Sequence, residues 1–205
     1  MAKNGLLRPI ARLVQKFSKG IDIMFDGDIL FYGKHADYLR QLAPSKQYKE
    51  KTEQRKTFFN SNIEAVLAAA AIGFIKGKKA DVARDAKVSD NRIFYEAVSR
   101  HKEELELVYR LIMILDAKNT LSVEKRIDKA FRFDADDEKR KSGDEVFWAY
   151  VRGGIEYLYD VLYKDSESTQ DDIQKAAEFV ESFKATYIDD GIIDEIYELC
   201  SQRKI

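Results

Sequence analysis

The 205-residue sequence predicts a mostly α-helical, single-domain helical bundle with a small β-hairpin near residues 21–32. Three observations predict it. Proline occurs only at positions 9 and 44, so 161 consecutive residues lack the strongest helix breaker. Apolar residues recur at three- and four-residue spacing along most of that stretch, the period of one helical face. Hydrophobic residues make up 45% of the chain against 35% charged, enough for a core and too apolar for a disordered chain.

The elements follow in order. Leu6, Leu7, Ile10, Leu13, Val14 and Phe17 form one helical stripe, with Pro9 early and Gly20 at its end. In residues 21–32, Ile21, Ile23 and Phe25 alternate with Asp22 and Met24. Asp26-Gly27 and the run from Ile29 to Tyr32 follow, a hairpin pattern with an extended arm as the alternative. Residues 34–43 read as a short helix stopped by Pro44, and 45–58 as a polar helix or linker. Asn60 or Ser61 caps a helix burying Ile63, Val66, Leu67, Ala70 and Ala71, with Gly73 and Gly77 at its end.

Residues 93–100 and 103–116 are predicted helical, the second through Leu105, Val108, Leu111, Ile112 and Leu115. A short helix over 122–131 precedes a charged loop at 134–143. Asp144 then caps a long helix to about residue 163, with Val146, Phe147, Tyr150, Val151, Ile155, Leu158, Val161 and Leu162 inward. Residues 169–187 and 191–203 form a helical hairpin through Ile173, Ala176, Val180 and Phe183 against Ile192, Ile196 and Leu199. The domain thus divides into an N-terminal helix with hairpin or arm (1–33), a core (34–163) and a C-terminal helical hairpin (164–205).

Composition narrows function. The longest apolar run, 65–72, is far below the roughly 18 residues of a membrane span. Cys200 is the single cysteine, so no intrachain disulfide forms, and the start lacks a signal-peptide core; both point to the cytoplasm. Net charge is -1, yet residues 1–133 carry 26 Lys and Arg against 17 Asp and Glu, and 134–205 carry 9 against 19. The halves are therefore +9 and -10. They either attract each other or leave a basic part for nucleic acid or a partner.

Catalytic chemistry finds little support, so no catalytic residue, metal ligand or cofactor is expected. His35 and His101, the only histidines, are expected in charged, solvated helical context without a nucleophile beside them. Carboxylates at Asp26 and Asp28, and at Asp134, Asp136 and Asp137, leave a carboxylate metal site open, without EF-hand spacing, and a metal-dependent nuclease using Asp134, Asp136 or Asp137 is a rival. The stretch from Gly73 through Gly77 to Lys79 has phosphate-loop composition. It is one residue short, follows a helix and lacks Ser or Thr after the lysine.

Residues 80–98 read as a helix-turn-helix of a DNA-binding regulator. Val82, Ala83 and Ala86 would form the first helix, Ser89 the cap, and Asn91, Arg92 and Tyr95 the recognition helix. Lys87 occupies the turn position usually held by glycine.

A second reading spans residues 34–163. Phe58 and Phe59 lead into the alanine helix, then Gly73-Phe74 and a basic turn of Lys76, Gly77, Lys78 and Lys79. The 103–116 helix follows, then Tyr150, Val151, Gly153, Gly154 and Ile155. The set resembles small accessory proteins associated with bacterial DNA phosphorothioation (Dnd) systems, with Val151 in place of the family's alanine. The resemblance implies a non-enzymatic accessory subunit in antiviral defence or DNA modification and restriction. The protein is expected to act by binding larger protein subunits of such a system, DNA or both. Contact is expected through Lys76, Lys78, Lys79, Arg84 and Arg92. Gly73, Gly77, Tyr150, Gly153 and Gly154 carry the structural motif. Two glycines inside a helix cost on the order of 1 kcal/mol each against alanine, so Gly153 and Gly154 are expected to pack closely on Ala68–Ala71.

Overall fold

The computed structural model describes residues 24–44, 57–116, 120–134 and 136–187. The helices expected over 6–17 and 191–203, and most of the 45–58 segment, lie outside them. The fold is mostly α-helical, with one two-stranded antiparallel ribbon. No helix among the described residues is long and apolar enough to cross a membrane.

Its centre is one helix pair. Asn62–Ile75 (α2) starts at Ser61, whose hydroxyl accepts from the Glu64 N–H at 3.3 Å. Glu64 reaches back to the Asn60 N–H at 3.2 Å, completing a capping box. The helix ends on Gly77 (φ +63), where the Gly77 N–H reaches the Phe74 carbonyl and the Lys78 N–H reaches that of Gly73. This Schellman turn satisfies carbonyls that the helix end leaves open.

The partner helix, Asp137–Leu162 (α6), crosses α2 where both carry glycine. A methyl group added at Gly154 would strike the Ala69 backbone, and one at Gly73 the backbone of Tyr150. The expected small-on-small approach holds for Gly154, which brings main chain onto main chain, but not for Gly153, which faces the Lys78 backbone instead of the alanines.

Helix Gly33–Leu42 (α1) packs on α6, and Tyr38 stacks on Tyr159 with ring centroids 3.8 Å apart. Phe25, Phe31, Tyr109, Phe147 and Trp148 form an aromatic cluster beside it. Strand Ile29–Phe31 (β1) falls in the predicted hairpin range. Its partner is Asn91–Ile93 (β2), paired Ile29 to Ile93, Leu30 to Arg92 and Phe31 to Asn91. Met24 and Phe25 are in a turn instead of a strand, and residues 21–23 lie outside the described chain.

That pairing overturns the helix-turn-helix expectation. Residues 78–90 form an irregular strap across α6. The Ala80 N–H donates to the Ala149 carbonyl at 3.0 Å, and the Arg152 Nε donates to the Ala80 carbonyl at 2.8 Å. Glycines make room for the strap: Gly153 faces the Lys78 carbonyl, and Gly33 (φ +51) faces that of Ala83. Buried Arg40 holds its far end by donating to the Ser89 carbonyl and hydroxyl. Asn91 and Arg92 then enter β2, and only Tyr95–Arg100 (α3) is helical. Tertiary hydrogen bonds outweigh the weak local helix preference here.

Helix Lys102–Leu115 (α4) forms as expected but buries a rotated face. Leu105, Glu106, Tyr109, Arg110, Ile112 and Met113 are inside, while Leu111 and Leu115 are 48% and 43% exposed. Ser122 caps Val123–Ile127 (α5), which continues as a π-helical turn over Asp128–Arg132.

The charged loop expected at 134–143 is also corrected: α6 already begins at Asp137. Asp136, not Asp144, is its cap and accepts from the Lys139 N–H at 3.1 Å. The charges pair along the helix, Arg140 with Asp137 at 2.8 Å and with Asp144 at 3.2 Å. Such local pairs sustain a polar first turn. Thr169–Tyr187 (α7) matches its predicted range and packs through Ala176, Phe179 and Phe183.

Candidate functional site

Two places carry chemistry: the basic turn after α2 and a cleft beside β1. In the first, the Schellman turn fixes the backbone from which Lys76, Lys78 and Lys79 project. Lys76 lies 5.8 Å from the Tyr157 ring centroid, and Lys78 is exposed. Lys79 faces inward chemistry: its ammonium lies 2.9 Å from Asp116 Oδ1 and 4.4 Å over the Tyr150 ring. The Tyr150 hydroxyl donates to the same oxygen. Burial alone would raise the Asp116 carboxyl, but the hydrogen bonds from Tyr150 and Lys79 hold it below its ordinary range. Tyr150 is thus both a seam residue and an anchor for the turn.

The other two predicted contact residues lie at β1. The Arg84 guanidinium sits 4.7 Å over the Tyr32 ring, and Arg92 lies 3.5 Å from Asp28. Lys76, Lys78 and Lys79 therefore share the turn, while Arg84 and Arg92 border the cleft. Gly73, Gly153 and Gly154 serve the backbone approaches already described, and Gly77 supplies the positive φ that ends α2.

The cleft, about 440 Å³, was not anticipated. One wall is the chain from Asp28 to Tyr32. The other is α6, through Lys141, Asp144, Glu145, Trp148 and Arg152. His35 and Val82 close it. The α6 residues follow helical spacing, a signal hidden by reading residues 134–143 as a loop.

His35 corrects the solvated-histidine expectation, being 1% exposed. It shares Glu156 Oε1 with Lys34, at 2.7 and 2.8 Å. Burial lowers the His35 pKa although Glu156 opposes the shift, so the ring is neutral at pH 7. Burial also raises Asp144 against its Arg140 hydrogen bond, and lowers Arg152. His101 is partly exposed and lies 3.9 Å from Glu104.

The carboxylates of the nuclease rival already have cationic partners: Asp134 with Arg110, Asp136 with Lys139 and Asp137 with Arg140. No metal-ligating group of three or more His, Cys, Asp or Glu occurs among the described residues. Among the described residues, Lys34 pairs with Glu156 and Arg110 with Asp134 across the basic and acidic parts, so part of the charge asymmetry is spent on folding.

The class defined so far is a mostly α-helical single domain with a two-stranded ribbon. Compared with known proteins, the chain matches no family model, no curated protein and no solved structure.

Proposed function

We propose that the protein is a non-enzymatic accessory or regulatory subunit of a bacterial anti-phage defence or DNA modification–restriction system of the phosphorothioation kind. It acts by binding a larger protein subunit, DNA or both. The motif resemblance supplies the context. The observation that carries the binding reading is the rigid basic turn: three lysines on a backbone locked by Gly77 and wedged against α6 at Gly153.

A gel shift with duplex DNA at two salt concentrations tests it. Phosphate contact by this turn predicts sequence-indifferent binding that weakens with salt. Lys76→Glu/Lys78→Glu should abolish the shift while the far-UV spectrum stays unchanged. Co-purification from cells carrying a defence operon tests the protein partner. Loss of neither DNA nor partner binding in that double variant rejects the turn as the contact.

A further inference from the structure

The cleft beside β1 has the geometry of a strand-addition groove. All five residues from Asp28 to Tyr32 line it, although their side chains alternate between buried and exposed, and no residue of β2 does. The edge of β1 away from β2 therefore faces the cleft. No described strand pairs with that edge. A helix face, α6, forms the opposite wall. A groove between an open strand edge and a helix is the arrangement in which extended peptides dock by main-chain hydrogen bonds.

The wall supplies recognition chemistry. Val82 and the partly exposed Trp148 present apolar surface for a side chain. The acids are mostly occupied: Asp28 accepts from the Tyr95 N–H at 2.8 Å and lies near Arg92, and Asp144 accepts from Arg140. Arg152 spends its Nε on the Ala80 carbonyl, and its terminal amino groups make no hydrogen bond with a described residue. Lys141 adds a second cation at the rim, and Glu145 one carboxylate. The unspent donors are thus a fixed guanidinium and an ammonium, which suit a carboxylate.

We propose that this cleft takes an extended peptide from a protein partner. The peptide adds as a third strand to β1, puts an apolar side chain against Trp148, and sets a carboxylate on Arg152. That carboxylate is an acidic side chain or a free C-terminus. The site is separate from the basic turn. The gel shift reads the turn and the peptide titration reads the cleft, so each reading fails alone.

The test uses the whole chain and a random heptapeptide library with free C-termini. The tightest binder is remade with each amide N-methylated in turn, with its C-terminus amidated, and with each Asp or Glu as the amide. Strand addition predicts that N-methylation at alternate positions weakens binding by about tenfold or more, with the intervening positions unaffected. One of the two neutralised forms should lose a similar factor, which identifies the carboxylate's source. Lys141→Glu, on the exposed surface, should weaken the acidic peptide several-fold without changing the thermal melt. Failure to enrich any peptide, or indifference to N-methylation at every position, would overturn the proposal. So would equal affinity for N-acetyltryptophan, which would make the cleft a small-molecule pocket.

Discussion

Two regions along α6 are built on opposite principles. In its middle, α6 meets α2 through Gly154 and Ala69 with main chain against main chain and no charge. Toward its start, it neighbours a corner where α4 and the π-helical turn bury charge. There Arg110, 4% exposed, bridges Glu106 at 3.2 Å and Asp134 at 3.1 Å and lies 5.5 Å from the Phe131 ring centroid. The seam is specified by shape and tolerates no added atom. The corner is specified by charge, with one guanidinium held between two carboxylates. The same helix therefore has two distinct modes of failure.

Gly154→Val breaks the seam and should have the largest effect, a loss of about 4 kcal/mol, because the backbone of Ala69 cannot step aside like a side chain. Urea unfolding should show a lower midpoint with the slope unchanged. Gly27→Ala is the control: nothing lies within 4 Å of its added methyl, so the midpoint should not move. Equal effects at the two glycines would remove the steric account of the seam.

Arg110→Met breaks the corner and should cost about 3 kcal/mol, since it removes the cation between Asp134 and Glu106 and leaves Glu106 only Lys102, 3.9 Å away. Arg110→Met combined with Glu106→Gln should recover part of that loss. Strict additivity of the two substitutions would show that the corner does not act as one charge network.

The seam was legible in the sequence and the corner was not, for a physical reason. A glycine pair inside a long apolar helix is costly unless something comes close, so the pair announced a close approach: Gly154 meets the alanine helix, whereas Gly153 meets the strap at Lys78. Glu106 and Arg110 announced nothing, because charged residues on a helix are ordinarily solvated. The apolar period of α4 runs through Leu111 and Leu115, whereas the tertiary partners bury the face one step round. The strap misled in the same way. Residues 80–95 carry a weak helical pattern, but Ala80, Ser89 and Asn91 take their hydrogen bonds or strand pairing from distant residues. The cleft was illegible because it needs β1, whose pairing partner lies about sixty residues away, together with an α6 that starts earlier than composition suggests.

His35 gives a smaller and pH-dependent effect. Its folded pKa lies below 6.5, so the unfolded chain binds the proton more readily. Stability is therefore full above the unfolded value and falls as pH drops through 6.5 toward the folded pKa. Glu156 faces the ring together with Lys34, and its own depressed pKa gives a further loss of the same sign at lower pH. The melting temperature should fall on acidification from pH 7.5 to 5.5, and His35→Gln should flatten that window. An unchanged slope in the variant would place the titration elsewhere.

The smallest test applies one substitution to both regions. Ser61 caps α2, which carries the seam, and Ser122 caps α5, beside the charged corner. Ser61→Ala removes half of a capping box from a helix packed along its length, and should cost about 1 kcal/mol. Ser122→Ala loosens a five-residue helix with no buried residue, which can fray without disturbing Arg110. Its cost should be about 0.5 kcal/mol or less. Hydrogen exchange resolves the two cases. Ser61→Ala should speed exchange along α2 and into the facing part of α6, whereas the effect of Ser122→Ala should stop within α5. Faster exchange in α4 after Ser122→Ala would mean that the corner depends on helix capping as well as on charge, and the contrast between the two regions would fail.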